Sequence, residues 1–289
     1  MQYLYYAIAF LVAVVALLLL VNRPQYVVID APLPVAYEGV GFPHGLFENL
    51  LGRYVSADGK IDYAAWQASA SSVAELNGYL AAVSAISPET DPERFASRND
   101  ELAYWMYGYN AYVIKSVLDH WPIASVTDVK APLEAVTGLG FFYRQRFSFG
   151  DEYLSLLSVE NKKIREQYQD ARIHFVLSCA SGSCPIVRPE LPTGDALEAF
   201  LASATAEFAS DPGNISIDHE ARSVVLNRIF KWYRKDFENE LRKAGLPAEN
   251  GLIAYAQRIA PEPLASALAA AGDYEIVFHD YDWALNSTE

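Results

Sequence analysis

The first 22 residues of the chain carry no charged side chain, and residues 7–21 form an unbroken apolar run. With Tyr3, Tyr5 and Tyr6 in front of it, the run approaches the roughly 20 residues that a helix needs to span a bilayer, and tyrosines are common at the membrane interface. No basic residue precedes the run and no small-x-small cleavage site follows it, which argues against a cleaved signal peptide. The segment also lacks the cysteine of a lipoprotein anchor. We therefore predict an uncleaved transmembrane anchor over residues 1–22 that enters the membrane through residues 3–21.

The chain after the anchor predicts a stalk and one soluble domain. Ala31-Pro32-Leu33-Pro34 suits a stalk over residues 23–40. No long Gly/Ser-rich or charged run interrupts the sequence beyond it, so we expect one domain over residues 41–289.

The charge balance limits the kinds of partner that the protein can bind. The formal net charge is -14, and no cluster of Lys and Arg is present, so nucleic acid is excluded as a partner. The same balance disfavours charge-driven docking on anionic lipid. The charges nearest the apolar run are the α-amino group and Arg23, which nearly cancel, and the positive-inside rule therefore leaves the orientation open.

Apolar periodicity predicts an α+β fold, a helix-dominated single domain with a small, mainly antiparallel sheet. We expect helices over residues 45–55, 65–86, 99–120, 195–209, 229–237, 252–259 and 263–271, and one more that starts with Ser158 as its N-cap. We expect strands over residues 141–149 and 153–156 as a hairpin, over 172–178, twice within 215–226, and over 274–278.

Both cysteines lie in residues 172–185, RIHFVLSCASGSCP. A strand followed by a small-residue loop and a helix that starts at Cys184, with Pro185 as its first residue, would favour a thiolate and present N–H groups to an oxyanion. Cys184 is then a nucleophile that needs a histidine base. A structural disulfide between Cys179 and Cys184, a reversible dithiol and inert buried thiols are the other interpretations. The four-residue gap differs from the two-residue gap of thioredoxin-type sites.

Four polar residues could serve such a nucleophile. His174 alternates with apolar neighbours and is either a core histidine or the base, and His44, which precedes the first helix of the domain, is the second candidate base. Glu160 and Asn110 lie among apolar residues, where they either orient a base or make buried hydrogen bonds. The sequence offers no zinc-ligand spacing and no nucleotide, zinc-protease or serine-hydrolase motif, so we expect no metal and no cofactor.

Five segments together resemble the domain-of-unknown-function 547 family: YWMYGYNAYVIKSVLDHWP (104–122), LSLLSVENKKIR (154–165), RIHFVLSCASGSCP (172–185), IFKWYRKDF (229–237) and YDWALN (281–286). The resemblance extends from about His44 to Asn286. It implies a membrane-anchored bacterial protein whose soluble domain lies on the periplasmic side. Its motif positions correspond to His44, Asn110, Glu160, His174, Cys179 and Cys184.

The chain departs from that family at one position. Members usually have a histidine directly after the motif glutamate, whereas this chain has Asn161. Asparagine takes up no proton at neutral pH, so a chain that relied on that histidine as base would have lost it. The departure favours a non-catalytic member that binds a partner.

The leading interpretation is a membrane-anchored domain with a Cys184-centred site for thiol-dependent acyl transfer or hydrolysis. One alternative is a non-catalytic accessory subunit whose anchor and domain pack against protein partners in a larger membrane complex. The other is thiol–disulfide exchange, which would require an exposed cysteine of low pKa.

Overall fold

The computed structural model describes residues 2–21, 23–37, 39–134, 136–247 and 251–288. The α-helices are α1 (Gln2–Val21), α2 (Gly45–Tyr54), α3 (Tyr63–Ala68), α4 (Ala70–Ala85), α5 (Arg98–His120), α6 (Leu156–Ser158), α7 (Glu166–Tyr168), α8 (Ala196–Ser210), α9 (Arg228–Trp232), α10 (Arg234–Lys243), α11 (Gly251–Ile259) and α12 (Leu264–Ala270). The strands are β1 (Gln25–Tyr26), β2 (Gln145–Phe149), β3 (Glu152–Leu154), β4 (Ile215–Asp218), β5 (Ser223–Leu226) and β6 (Glu275–Phe278).

The N-terminal helix α1 covers the predicted anchor except for its ends, because Met1 and Asn22 lie outside the described residues. Within the described part of the chain, no helix combines the length and apolarity needed to cross a membrane.

The central helix is α5. Ser97 caps its N-terminus by accepting a hydrogen bond from the Asp100 N–H at 3.2 Å. Its middle is buried on all sides, as the dense aromatic residues of this segment require. Gly108 allows β2 to approach, because a Cβ at this position would lie 2.9 Å from the Phe149 ring.

The described residues form two apolar clusters. The larger one surrounds α5 and includes α2, α4 and the β2–β3 hairpin. The smaller one packs α10, α11 and α12 against β4, β5 and β6. A 3-10 helix, Ala171–Phe175, joins the two, because Ile173 is buried in the larger cluster and Phe175 in the smaller.

A helix-dominated α+β fold is confirmed, but the expectation of a mainly antiparallel sheet is wrong. Each of the two three-stranded sheets combines an antiparallel pair with a parallel one. The hairpin β2–β3 gains β1, which pairs in parallel with β2, and β4–β5 gains the parallel strand β6. Both added strands come from segments distant in sequence, which local patterns do not pair.

The predicted strand over residues 172–178 is also wrong. Asp170 accepts a hydrogen bond from the Arg172 N–H at 2.9 Å and starts the 3-10 helix instead. The alternation of apolar residues arises because the helix contacts a different cluster on each side.

Serine caps explain two further differences between the predicted and the observed helices. Ser69 accepts a hydrogen bond from the Ser72 N–H and separates α3 from α4, where one helix was expected. Ser155, not Ser158, caps α6, which continues through a π-helical segment, Val159–Arg165, into α7. Residues 141–144, predicted to begin the hairpin, belong to a second π-helical turn, Gly140–Arg144.

Candidate functional site

A cleft of about 510 Å³ lies where the two apolar clusters meet. Helices α5 and α9, the π-helical segment Val159–Arg165, the loop before β2 and the C-terminal segment supply its walls. Four of the predicted site residues line it: Glu160, His174, Cys179 and Cys184. Its aromatic wall consists of Tyr109, Phe142, Tyr143, Trp232, Tyr233, Tyr281 and Trp283. The cleft is therefore mostly apolar, with a few polar groups at its floor, as is typical of ligand sites.

A disulfide between Cys179 and Cys184 lies in that floor. Both cysteines are half-buried, and the Tyr281 hydroxyl lies 3.1 Å from the Cys179 sulfur and 3.3 Å from the Cys184 sulfur. The Ser181 hydroxyl lies 2.9 Å from the Cys179 sulfur. Burial raises the pKa of Tyr281 to about 12, so its hydroxyl remains a donor at neutral pH. Each sulfur thus faces a group that can stabilise a thiolate.

The loop of the disulfide is tightly held. A Cβ at Gly182 would lie 2.7 Å from an Asp282 carboxylate oxygen, so a side chain here would displace that carboxylate. The Cys184 N–H donates to the Ser181 carbonyl at 3.0 Å, which closes a turn. The expected helix at Cys184 and Pro185 is wrong, because residues 184–190 are irregular. A helix N-terminus therefore does not activate this sulfur. The Tyr281 hydroxyl and the Cys179 N–H contact the Cys184 sulfur instead, at 3.3 and 2.9 Å.

His174 connects the cleft to a carboxylate behind it. Its Nε2 lies 2.8 Å from an Asp236 carboxylate oxygen, and its ring stacks on Tyr233 with centroids 3.7 Å apart. Burial lowers the pKa of His174 and outweighs the opposing effect of Asp236, so the ring is neutral at pH 7. Because a carboxylate only accepts, Nε2 carries the proton and Nδ1 keeps its lone pair. The pair can therefore hold a base in one tautomer.

Arg165 completes the support of His174. Its guanidinium makes two hydrogen bonds to Asp236, at 2.7 and 3.0 Å. Burial raises the pKa of Asp236, but hydrogen bonds from His174 and Arg165 outweigh it and lower the pKa to about 2. Asp236 is therefore a carboxylate at every physiological pH.

Glu160 is the second polar group of the cleft and is only 7% exposed. Burial and the nearby Glu160 raise the pKa of both Tyr109 and Tyr233 far above the ordinary value. These tyrosines stay neutral and can donate to the carboxylate or to a ligand. A buried carboxylate among hydroxyl groups suits hydrogen bonding to a ligand as well as proton transfer.

The other two predicted residues lie outside the cleft. His44 is buried among aromatic rings and shares a 2.8 Å hydrogen bond with the Tyr79 hydroxyl, and it does not line the cleft. Asn110 donates to the Val176 carbonyl at 3.0 Å and accepts from the Ser178 N–H at 2.9 Å. Asn110 thus holds the backbone that leads into the cysteine loop.

Asn161 also faces away from the cysteines. Its side-chain oxygen accepts a hydrogen bond from Arg165, and both residues line a separate polar pocket of about 350 Å³ behind Asp236. Asparagine at this position therefore removes no base from the cleft.

Sequence reasoning missed Asp236, Arg165, Tyr233 and Tyr281. Each lies within one of the five motif segments, but nothing local shows that residues so far apart meet. Among the described residues, no group of three or more His, Cys, Asp or Glu side chains is placed to hold a metal ion.

Comparison with known proteins identifies one family. Its sequence profile, described as "Protein of unknown function, DUF547", matches residues 93–209. No curated protein and no solved structure matches the chain. The match covers α5, the π-helical segment with Glu160, and the cysteine loop, whereas Asp236 and Tyr281 lie beyond it. The wider extent of the resemblance, from His44 to Asn286, stays a prediction. The chain contains a DUF547 family domain at residues 93–209.

Proposed function

We propose that this protein catalyses thiol–disulfide exchange in the aromatic cleft. One observation carries the proposal: both cysteines of the Cys179–Cys184 disulfide line a ligand-sized cleft that His174 and Glu160 also line. A purely structural disulfide needs no access to a ligand site. A disulfide that opens into one can be attacked by a bound thiol.

The substrate is a dithiol, which passes two electrons to the Cys179–Cys184 disulfide. Nδ1 of His174 takes the proton of one substrate thiol, and the thiolate attacks the Cys184 sulfur. The S–S bond breaks, and Cys179 leaves as a thiolate that the Tyr281 and Ser181 hydroxyls stabilise. The second substrate thiol gives its proton to the Cys179 thiolate and, as a thiolate, attacks the substrate sulfur that is bonded to Cys184. That S–S bond breaks, and Cys184 leaves as a thiolate and takes the proton held by His174. Two electrons and two protons pass to the protein, which becomes the dithiol, and the substrate becomes a disulfide.

The same proposal places the domain on the extracytoplasmic side of a membrane, anchored by α1. The unbroken apolar sequence of residues 7–21 supports the anchor, and a disulfide supports an oxidising compartment. Protein partners of a larger membrane complex would then supply or receive the electrons.

Equilibration of the full-length protein with glutathione redox buffers tests the exchange, with alkylation and mass spectrometry as the readout. We expect a reduction potential above about -300 mV, since structural disulfides lie below that value. His174→Gln should slow reduction by a dithiol and leave the potential unchanged. A disulfide that resists reduction at that potential would give the loop a structural role and favour the accessory-subunit function.

A second candidate is thiol-dependent acyl transfer by the reduced protein. It is favoured by one observation, the Asp236–His174 pair in the same cleft as Cys184. Reduced protein should then form a covalent adduct with a thioester probe. Cys184→Ser should abolish the adduct and Cys179→Ser should not. No adduct with the reduced protein would exclude this reaction.

A further inference from the structure

The mouth of the cleft has an exposed apolar rim, formed by Val136, Tyr143, Leu157 and Trp232. These four side chains line the cleft and are 66%, 48%, 42% and 45% exposed. Exposed apolar residues are ordinary when they are scattered, but a group at the entrance of a cleft marks an interaction surface. The position of the rim relative to α1 indicates what covers it.

The strand β1 fixes that position. It begins four residues after the end of α1, so the chain can separate Val21 from Gln25 by at most roughly 14 Å. Gln25 pairs with Gln145 at the start of β2, and the Arg144 guanidinium hydrogen-bonds to the Arg23 carbonyl and the Gln25 side chain, each at 3.4 Å. The start of β2 therefore lies beside the end of α1.

The parallel pairing of β1 with β2 shows on which side of the domain the cleft lies relative to α1. Because β1 and β2 are parallel, their first residues point to the same side of the domain, which is the side of α1. Tyr143 comes two residues before β2 and contacts Arg146, so it lies at this end, and it forms part of one wall of the cleft. The part of the rim at Tyr143 therefore lies on the same side as α1.

Positive charge accompanies the rim. Arg23, Arg144 and Arg146 follow α1 or flank the start of β2, and the Arg146 guanidinium lies 4.9 Å from the centre of the Tyr143 ring. Within the described ranges, none of the three forms an ion pair with a carboxylate. Arginine beside tyrosine suits the headgroup region of a bilayer. This local charge differs in sign from the net charge of -14.

We infer that the rim of Val136, Tyr143, Leu157 and Trp232 rests on the bilayer surface, so that the cleft receives its substrate from the membrane interface. The inference rests on the proposed membrane anchor and narrows the proposed substrate to a dithiol carried at the headgroup level of the membrane. The apolar walls would hold the part of the substrate that leaves the lipid, and the disulfide floor would meet its thiols.

Lipid-quenching of a site-specific fluorophore tests the inference. Val136→Cys is labelled in the full-length chain under non-reducing conditions, which leave the native disulfide intact. The protein is reconstituted in vesicles of phosphatidylcholine and phosphatidylglycerol, with and without a lipid that carries a nitroxide near its headgroup. We expect the nitroxide lipid to quench the Val136 label at least twofold.

Two variants provide the controls. Val277→Cys places the label at a similarly exposed apolar residue of β6, and we expect no quenching there. Val12→Cys lies at the middle of α1 and reports the anchor itself, and it should be quenched by a second lipid that carries its nitroxide at the end of the acyl chain. Quenching at Val12 without quenching at Val136 would overturn the inference and leave the anchor in place. No quenching at either position would overturn both.

Further outcomes separate the other proposals. A Val136 label that is shielded from aqueous iodide but not quenched by the lipid would show a protein on the rim and overturn the inference. The redox equilibrium of the same labelled protein is read independently, so a failure of thiol exchange does not change the quenching result.

Discussion

At the scale of single residues, His44 shows how burial alone converts a candidate base into a structural group. It is only 5% exposed, and burial lowers its pKa to about 3. A base so difficult to protonate does not exchange protons near neutral pH. The sequence marks His44 as a candidate from its position before α2, but it does not reveal the aromatic rings that surround it.

The lowered pKa of His44 should make the stability of the protein depend on pH. The ring is neutral in the folded state, whereas in the unfolded chain it takes up a proton below about pH 6.5. Its contribution is therefore complete above that pH and is lost as the pH falls from about 6.5 to 3, at up to about 1.4 kcal/mol per pH unit. The free energy of unfolding of His44→Asn should be lower at pH 7.5 but fall less steeply between pH 6.5 and 5. Urea denaturation at these pH values measures both slopes.

The control is His219→Asn, since His219 is exposed in the turn between β4 and β5. The free energy of unfolding of this variant should fall with pH as steeply as that of the parent protein. Parallel slopes for His44→Asn and the parent would contradict the prediction.

Tyr281 carries the second prediction at this scale. Its hydroxyl lies near both sulfurs, and in the reduced state it would donate to a thiolate. Tyr281→Phe removes that donor, which is worth about 1 kcal/mol, so the disulfide should become roughly fivefold harder to reduce. Equilibrium with glutathione measures the change. Tyr143→Phe removes a hydroxyl of the same cleft that makes no hydrogen bond to either sulfur, and it should leave the equilibrium unaltered. An unchanged equilibrium for Tyr281→Phe would exclude a role for the hydroxyl.

At the scale of elements, the helical segment from α6 to α7 shows how a cap decides where an element begins. Ser155 is fully buried, accepts a hydrogen bond from the Ser158 N–H at 3.1 Å and donates to the Ser158 hydroxyl at 2.9 Å. Both serines have the residue type of an N-cap, so the sequence alone does not select between them. Because the helical segment begins at Ser155, Glu160 faces the cleft and Arg165 faces Asp236.

Replacement of the Ser155 cap should destabilise the helical segment that begins with α6. Ser155→Ala should lower the free energy of unfolding by about 1 kcal/mol, because the first turn loses its acceptor. Ser158→Ala removes only the hydroxyl partner and should cost less. Chemical denaturation of both variants measures the difference. A larger loss for Ser158→Ala would mean that the helix begins at the later serine.

Predictability differs between elements for a physical reason. Helix α5 and strands β2 and β3 follow from local patterns, because Ser97 caps the helix and Gly150, with φ 58°, turns the chain between the strands. Strand β1 has only two residues, and it forms because the stalk lies along β2. The 3-10 helix Ala171–Phe175 imitates a strand pattern because its apolar residues enter two clusters.

At the scale of the whole molecule, the cleft is assembled from segments that no local pattern connects. The cysteine motif and Glu160 lie within the family match, and four of the six residues singled out from the sequence line the cleft. The walls come from α9 and from the C-terminal segment, so the pairing of His174 with Asp236 becomes visible only in the folded chain.

The C-terminal segment holds these parts together. Its backbone hydrogen-bonds to three distant places: Leu285 to Ala124 at 2.9 Å, and Asn286 to both Ala180 at 3.2 Å and Ile61 at 2.9 Å. The Tyr63 hydroxyl donates to the Asn286 side chain at 3.0 Å. The segment therefore ties the cysteine loop to the larger apolar cluster.

Removal of residues 281–289 should consequently destabilise the whole domain, not only the cleft. The truncation breaks these hydrogen bonds and uncovers buried backbone groups around Ala180, so we expect a loss of several kcal/mol and a lower midpoint of thermal unfolding. Removal of Thr288 and Glu289 alone is the matched control, since it breaks the hydrogen bond from the Thr288 N–H to the Ile61 carbonyl but leaves those of Leu285 and Asn286. Circular dichroism follows both transitions. If the two truncated proteins unfold at the same temperature, the C-terminal segment does not stabilise the link between the cysteine loop and the larger apolar cluster.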